Sequence, residues 1–198
     1  MLVHLRRSVL IALVVIVLTF VYTLVGTGVS QVLFKHQADG SITADGSTLI
    51  GQNWSSPKFF HGRPDDTGPY ASAKTSPAEH PGDDPLVANG QAGESGATNL
   101  GPRSAELRTY TKELVAYWHK LGVDPTPDLV TTSGSGYDPD ITAQDALVQI
   151  PMVSKATGLS ASTLQALITR QTNGAELGFM GSSYIDVLQL NEALAKLR

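Results

Sequence analysis

The stretch Asp128 to Thr142, DLVTTSGSGYDPDIT, combines residue types that can do chemistry. Two glycines, two serines and the pair Asp138 and Asp140 lie between an apolar start and a predicted helix. Such a loop could cradle a phosphate, hold a cation, present a nucleophile or shape a contact surface. A Walker-type cradle needs G-x-x-x-x-G-K-[ST], so that backbone amides and a lysine meet the phosphates together. Ser133, Gly134, Ser135 and Gly136 have no lysine after them, which leaves only a bare backbone anion nest. A calcium loop needs oxygen ligands at several alternating positions and a glycine at the sixth. Asp138 and Asp140 supply two carboxylates with the stiff Pro139 between them. The chain contains no G-x-S-x-G, so it lacks the nucleophile-elbow pattern. The remaining reading is a shaped contact loop, with glycines that permit positive φ and a proline that stiffens its exit.

Other reactive types are sparse. With no cysteine, the chain has no disulfide, thiolate metal site or thiol nucleophile. His4, His36, His61, His80 and His119 form no pair with metal-ligand spacing. Asp65-Asp66 and Asp83-Asp84 sit in Pro/Gly-rich sequence and read as solvated pairs. Nothing in these residues argues for an active site of the chain's own.

The elements that must position these residues begin at the N-terminus. Arg6 and Arg7 precede an uncharged run from Ser8 to Phe34 whose apolar core, Val9 to Val25, exceeds the usual signal-peptide core of roughly 7–15 residues. About 20 apolar residues span a bilayer as a helix. Cations favour the cytoplasmic side, which puts everything after the helix outside. The expected organisation is a short cytoplasmic N-terminus over 1–7, a transmembrane helix over 8–30 and an extracytoplasmic, periplasmic domain over 31–198. With the two N-terminal arginines set aside, 12 basic residues face 18 acidic ones, a formal charge of −6 on the exported part. That balance gives no reason to expect nucleic acid as a partner.

Within the exported part, Ala-Asp-Gly-Ser recurs at 38 and 44 as a tight-turn signal, and Ser47 to Ile50 reads as a strand. Residues 67–96 read as a long surface loop. Ser104 is a candidate N-cap for a helix carrying Leu107, Leu114, Trp118 and Leu121 at helical spacing, with Gly122 at its C′ position. Leu129 to Thr132 is a candidate short strand. Thr142 and Asp145 approximate a capping box, Pro151 opens a second helical piece, and Gly158 ends it. Ser160 or Ser162 starts a helix with Leu164, Leu167 and Ile168 on one face, and the last helix shows Val187, Leu190, Leu194 and Leu197. The predicted fold class is therefore α+β: one N-terminal transmembrane helix followed by a mixed α+β extracytoplasmic domain.

Val153 to Arg170 also has the outline of a helix-turn-helix, which would make the chain a membrane-anchored DNA-binding regulator. Three facts oppose that alternative. DNA binding needs several phosphate contacts, and only Lys155 and Arg170 are cationic here. The surrounding domain is acidic, and the charge rule places it outside. The plainer reading is two packed helices joined by a glycine turn. An exported binding module for small ligands is a third alternative.

Several separate segments, in order and in register, carry a resemblance along nearly the whole chain. They are Leu49-Ile50-Gly51-Gln52, Phe59-Phe60-His61-Gly62-Arg63-Pro64, Thr98-Asn99-Leu100-Gly101-Pro102, Asp128 to Thr142, Pro151 to Ala156, Leu177-Gly178-Phe179 and Val187 to Asn191. With the N-terminal anchor, this pattern resembles the C-subunit (KdpC) family of the bacterial Kdp potassium-transporting P-type ATPases. His61 stands where that family is expected to carry tryptophan, and Asp140 where histidine is common.

The resemblance implies an accessory subunit in the bacterial inner membrane, single-pass, without catalysis of its own. The implied partners are a channel-like potassium-selecting subunit, a P-type ATPase subunit and a small peptide subunit, with no nucleic acid. It implies no firmly bound cofactor. ATP enters through the family's description as a catalytic chaperone that raises the ATP affinity of the ATPase subunit, and potassium is what the complex carries. Candidate signature or partner-contact residues are Gly51, Gln52, Gly62, Arg63, Pro64, Asn99, Leu100, Gly101, Pro102, Ser133, Gly134, Ser135, Gly136, Asp138 and Pro139. A domain outside cannot touch cytoplasmic nucleotide, so any effect on ATP affinity would be indirect, through coupling between sites.

Overall fold

The structure is a computed structural model and describes residues 2–52, 54, 56–64, 98–175 and 177–198. The loop expected over 67–96, both paired acids and His80 lie outside the described residues. The chain divides into two units, residues 1–42 and 43–198.

The first unit is a helix, α1 (Leu2–Leu33), followed by the short α2 (Lys35–Ala38) and a turn at Asp39-Gly40. At 1.5 Å per residue α1 is about 48 Å long, more than the ~30 Å of a bilayer's hydrocarbon core. It is apolar on every side, and its large hydrophobic residues are all exposed. Its two central threonines bond within the helix, Thr19 Oγ1 to the Val15 carbonyl at 2.8 Å and Thr23 Oγ1 to the Phe20 carbonyl at 2.9 Å. Back-bonding of this kind lets a threonine hydroxyl sit in an apolar helix without water.

The second unit contains α3 (Ala105–Lys120), β1 (Asp140–Ile141), α4 (Ala143–Thr157), α5 (Ala161–Gln171), β2 (Ile185–Asp186) and α6 (Val187–Ala195). This is the mixed α+β domain that the sequence predicts. The helix boundaries follow the capping chemistry. Ser104 accepts from the Leu107 amide, and Ser160 accepts from the Thr163 amide. Thr142 and Asp145 form a full reciprocal capping box. Gly158 closes α4 at φ 78°, a left-handed conformation that glycine adopts without a Cβ penalty.

Four local expectations are corrected. Of Ser47 to Ile50, Ser47 makes a single β-bridge and the other three residues are turn and bend, so no strand forms. The Gln52 amide donates to the Ser47 carbonyl at 2.6 Å and lies where a Cβ on Gly46 would stand, 2.1 Å away, so the turn wraps this side chain. Leu129 to Thr132 is no strand either. Asp128–Val130 is a 3-10 turn, because the Trp118 indole takes the Leu129 carbonyl at 3.0 Å and fixes a tight geometry there. Pro151 lies inside α4 and starts no new helix. It is exposed, so the ring and the lost hydrogen bond fall on the side facing water. Leu197 lies beyond the end of α6 and is 44 % exposed, outside the apolar stripe.

The core joins Phe60, Trp118, Leu129, Val153, Leu164, Ile185, Leu190 and Leu194, all fully or almost fully buried. α5 packs on both α4 and α6. β1 and β2 pair antiparallel, with Asp140 opposite Asp186 and Ile141 opposite Ile185. The helix-turn-helix outline thus resolves into two helices whose facing sides are core. The exposed side of α5 carries Arg170 as its one cation, which is a poor footprint for a phosphate backbone.

Candidate functional site

The signature segment Phe60-His61 runs as extended chain through the core, held by two buried side-chain amides in place of a neighbouring strand. Asn191 of α6 accepts from the Phe60 amide and donates to the Phe60 carbonyl, both at 2.8 Å. Gln149 of α4 accepts from the His61 amide at 2.8 Å and donates to the His61 carbonyl at 3.0 Å. Both clamping residues are 0 % exposed. A primary amide carries one acceptor and two donor hydrogens, so each clamp mimics a strand's paired N–H and C=O. The His61 ring packs at a tilt of 44° against Trp118, with centroids 5.5 Å apart, and Nε2 bonds the Ser56 carbonyl.

This clamp delivers Arg63. Its Nη2 donates to the carbonyls of Thr131 and Thr132 at 3.3 and 3.1 Å. Its Nη1 meets Asp138 at 3.4 Å, and Asp128 lies 3.9 Å from Nη2. One planar guanidinium therefore ties both ends of the stretch Asp128 to Asp138, a geometry that lysine's point charge cannot reproduce.

The loop between those ends is organised internally. The Gly136 amide donates to Ser133 Oγ, the Tyr137 amide to Ser135 Oγ, and the Asp140 amide to Asp138 Oδ1, each at 3.2 Å. Gly136 sits at φ 76°, where glycine is favoured. The amides of Gly136, Tyr137 and Asp140 are thus taken up by the loop's own hydroxyls and carboxylate. The Gly51 amide donates to the Tyr137 carbonyl at 2.7 Å, attaching the loop to the first signature segment.

The candidate residues thus fall into two groups. Gly51, Gln52, Gly62, Arg63, Asp138 and Pro139 converge around a crevice of about 10 Å³, together with Trp54, Val187 and Leu188. The buried N–H groups of Trp54 (Nε1) and Arg63 (Nε) have no partner among the described residues. Pro64 is buried beside this group, and Ser133 to Gly136 form the attached loop. Asn99, Leu100, Gly101 and Pro102 are not brought there. They form the turn before α3, with Asn99 at φ 55° and the Gly101 carbonyl accepting from the Ser104 amide at 2.9 Å.

Beside the crevice opens a cleft of about 410 Å³ lined by Arg63, Asp128, Asp138, Asp140, Asp145 and Tyr184, among others. Four aspartates against one arginine make it acidic. Asp140 pays for this company: burial first, then Asp138 and Asp186, push its carboxyl up to about 6. The Asp186 carboxyl is also raised by burial, against the pull of the Gln189 amide. A carboxyl whose folded pKa is raised stabilises the fold while protonated, and loses that contribution as pH rises through the folded value. Asp140→Asn is expected to raise the unfolding free energy at pH 7.5 by about 1 kcal/mol, after allowance for solvent screening, and to change little at pH 4. Urea titrations at the two pH values check the difference. Equal effects at both would remove ionisation as the cause.

Sequence reasoning missed the two clamps, and the signal for them is an amide within an apolar helical stripe. Gln149 interrupts Ala146, Ile150 and Val153, and Asn191 interrupts Val187, Leu190 and Leu194. A buried polar side chain in such a stripe needs a partner of its own.

Comparison with known proteins agrees with this geometry. The family model for the K+-transporting ATPase c chain, KdpC, matches residues 5–196. The potassium-transporting ATPase KdpC subunit of Methylobacterium nodulans is 39 % identical, over 100 % of this chain and 98 % of that relative. The protein of the same name from Bacillus cereus strain AH820 is 36 % identical, covering 97 % of each chain. Clamp, arginine tie and all of α1 but its first three residues lie within the matched span, and the chain belongs to the KdpC family, the c chain of K+-transporting ATPases.

Proposed function

We propose that this chain is the accessory, non-catalytic subunit of an ATP-driven potassium uptake complex. It is anchored in the bacterial inner membrane by α1, with the N-terminus in the cytoplasm and the domain of residues 43–198 outside. The observation that carries this reading is the family match along almost the entire chain, 5–196. The all-round apolar surface of α1 and the arginines at its start support the anchor and its direction. The partners are a channel-like potassium-selecting subunit, a P-type ATPase subunit and a small peptide subunit. The internally bonded loop Ser133 to Asp138 belongs to the surface that docks on the channel-like subunit. The acidic cleft beside it raises local potassium within a Debye length of about 8 Å. The domain stabilises the complex and raises the ATP affinity of the ATPase subunit from a distance, through linkage.

The chain has no native thiol, which makes the orientation directly testable. Gly134 is exposed, and a Cβ there meets nothing within 4 Å, so Gly134→Cys introduces a single accessible cysteine without disturbing the loop. A membrane-impermeant maleimide is expected to label this variant in intact spheroplasts. Labelling only after permeabilisation would put the domain in the cytoplasm and overturn the indirect route to ATP affinity.

A further inference from the structure

A second part of the surface answers to no role so far. Between α5 and β2 the chain leaves the domain as a loop closed at its base by reciprocal Asn173 and Tyr184 backbone bonds, 2.8 and 3.1 Å. Its tip carries Leu177, Phe179 and Met180 at 80, 78 and 53 % exposure, next to one another. In the 43–198 unit the other large exposed apolar residues are Leu49, Ile50 and Leu197, among the described residues. Scattered apolar residues on a surface need no explanation, but a cluster at a loop tip does.

The tip also has a fixed shape. Leu177 is held at φ 53°, and Gly178 and Gly181 at 80° and 78°. The Gly178 amide bonds the Ala175 carbonyl at 2.9 Å. A leucine in the left-handed region is strained, and such strain persists where a function uses the conformation it enforces. Glycine at 177 would remove the strain, yet the chain carries a large apolar side chain there and exposes it.

We infer that this tip is an anchor that inserts into a preformed apolar pocket on a membrane-embedded protein subunit of the same complex. The inference rests on the accessory-subunit reading above and adds the residues that make the contact. Charge favours protein over lipid as the occupant. From Thr172 to Tyr184 the loop has one acid, Glu176, and no lysine or arginine, whereas peripheral contact with an anionic bilayer draws on cations beside the apolar residues. Shape favours it too, because a fluid lipid surface demands no fixed turn. Position agrees: Ser182, Ser183 and Tyr184, the stem of this loop, line the same cleft as Asp138 and Asp140, so the tip continues the face proposed to dock. Aromatic and aliphatic side chains seated in a pocket are the usual energetic centre of an interface.

The test uses the full chain, co-expressed with the channel-like and ATPase subunits and purified in mild detergent. Phe179→Ser is expected to lower the yield of assembled complex at least tenfold while the isolated full chain keeps its wild-type unfolding midpoint. Leu177→Gly is expected to leave the isolated chain as stable as wild type or more so, and still to weaken assembly. In parallel, Met180→Cys carries an environment-sensitive fluorophore. Its emission should stay that of a water-exposed probe when the chain alone is reconstituted in phosphatidylethanolamine–phosphatidylglycerol vesicles, and should shift to the blue only with the other subunits present. A shift in lipid alone would make the bilayer the occupant and overturn the inference. A shift that grows with the concentration of the chain alone would do the same in favour of a second copy. Wild-type assembly by both variants would sink the tip and leave the subunit reading standing. Failure of the wild-type chain itself to assemble would sink the subunit reading, and the anchor with it.

Discussion

Gln149→Leu is expected to lower the unfolding free energy by about 3–5 kcal/mol, because it orphans two backbone groups at once. The His61 amide and carbonyl both bond this side chain, at 2.8 and 3.0 Å, and His61 is 1 % exposed. Leucine fills a similar volume, so the cost is one of polarity rather than of a cavity. Each unsatisfied buried group is worth about 1–3 kcal/mol. Asn191→Leu does the same to Phe60, through bonds of 2.8 Å to its amide and carbonyl. The two clamps hold adjacent residues of one segment, so the double variant should lose less than the sum of the single losses. Urea unfolding of the full chain in detergent, followed by the near-ultraviolet circular dichroism of buried Trp118, gives all three values. A loss below about 1 kcal/mol for Gln149→Leu would mean that the freed groups find other partners.

Arg63→Met is the second large effect, expected at about 2–4 kcal/mol. The range reflects a guanidinium only 21 % exposed that serves two carbonyls and a carboxylate, and whose removal leaves Asp138 without its cation. In a domain of this size such a loss lowers the melting temperature by roughly 5–15 °C. Arg63→Lys should recover little, because one ammonium cannot reach the Thr131 and Thr132 carbonyls and Asp138 in the plane they require. Thermal unfolding of wild type and both variants, in the same detergent, separates the cases. Full recovery by lysine would show that charge alone matters and that the planar fork does not.

These two predictions mark the boundary of what could be read from residue types. The helices were legible because their ends are local chemistry: Ser104, Thr142 with Asp145, Ser160, Gly122 and Gly158 stand where caps and stops belong. The long apolar helix α1 was legible from length and apolarity. The strands were not. Leu129 to Thr132 has strand-forming residues, but a tertiary bond from Trp118 overrides that weak preference. Of the site, Arg63 and Asp138 were visible as signature residues, and their meeting is now explained. The carbonyls that Arg63 binds were invisible, since a backbone acceptor has no residue identity. The Leu177 to Phe179 signature was visible, but its exposure was not, because two large apolar residues in a short loop carry no period that tells core from surface.

The clamp on Phe60 and His61 has a consequence for how the chain is made. The bonds from Asn191 close a span of 131 residues, and those from Gln149 a span of 88. Synthesis proceeds from the N-terminus at ~5–20 residues per second. Residues 60 and 61 therefore leave the ribosome several seconds before the side chains that clamp their backbone exist, and contacts so distant in sequence form slowly even afterwards. A product that stops just short of residue 191 retains α1 and most of the core, yet lacks the side chain that bonds the Phe60 amide and carbonyl. Closure of the clamp on Phe60 thus waits until residue 191 has been made.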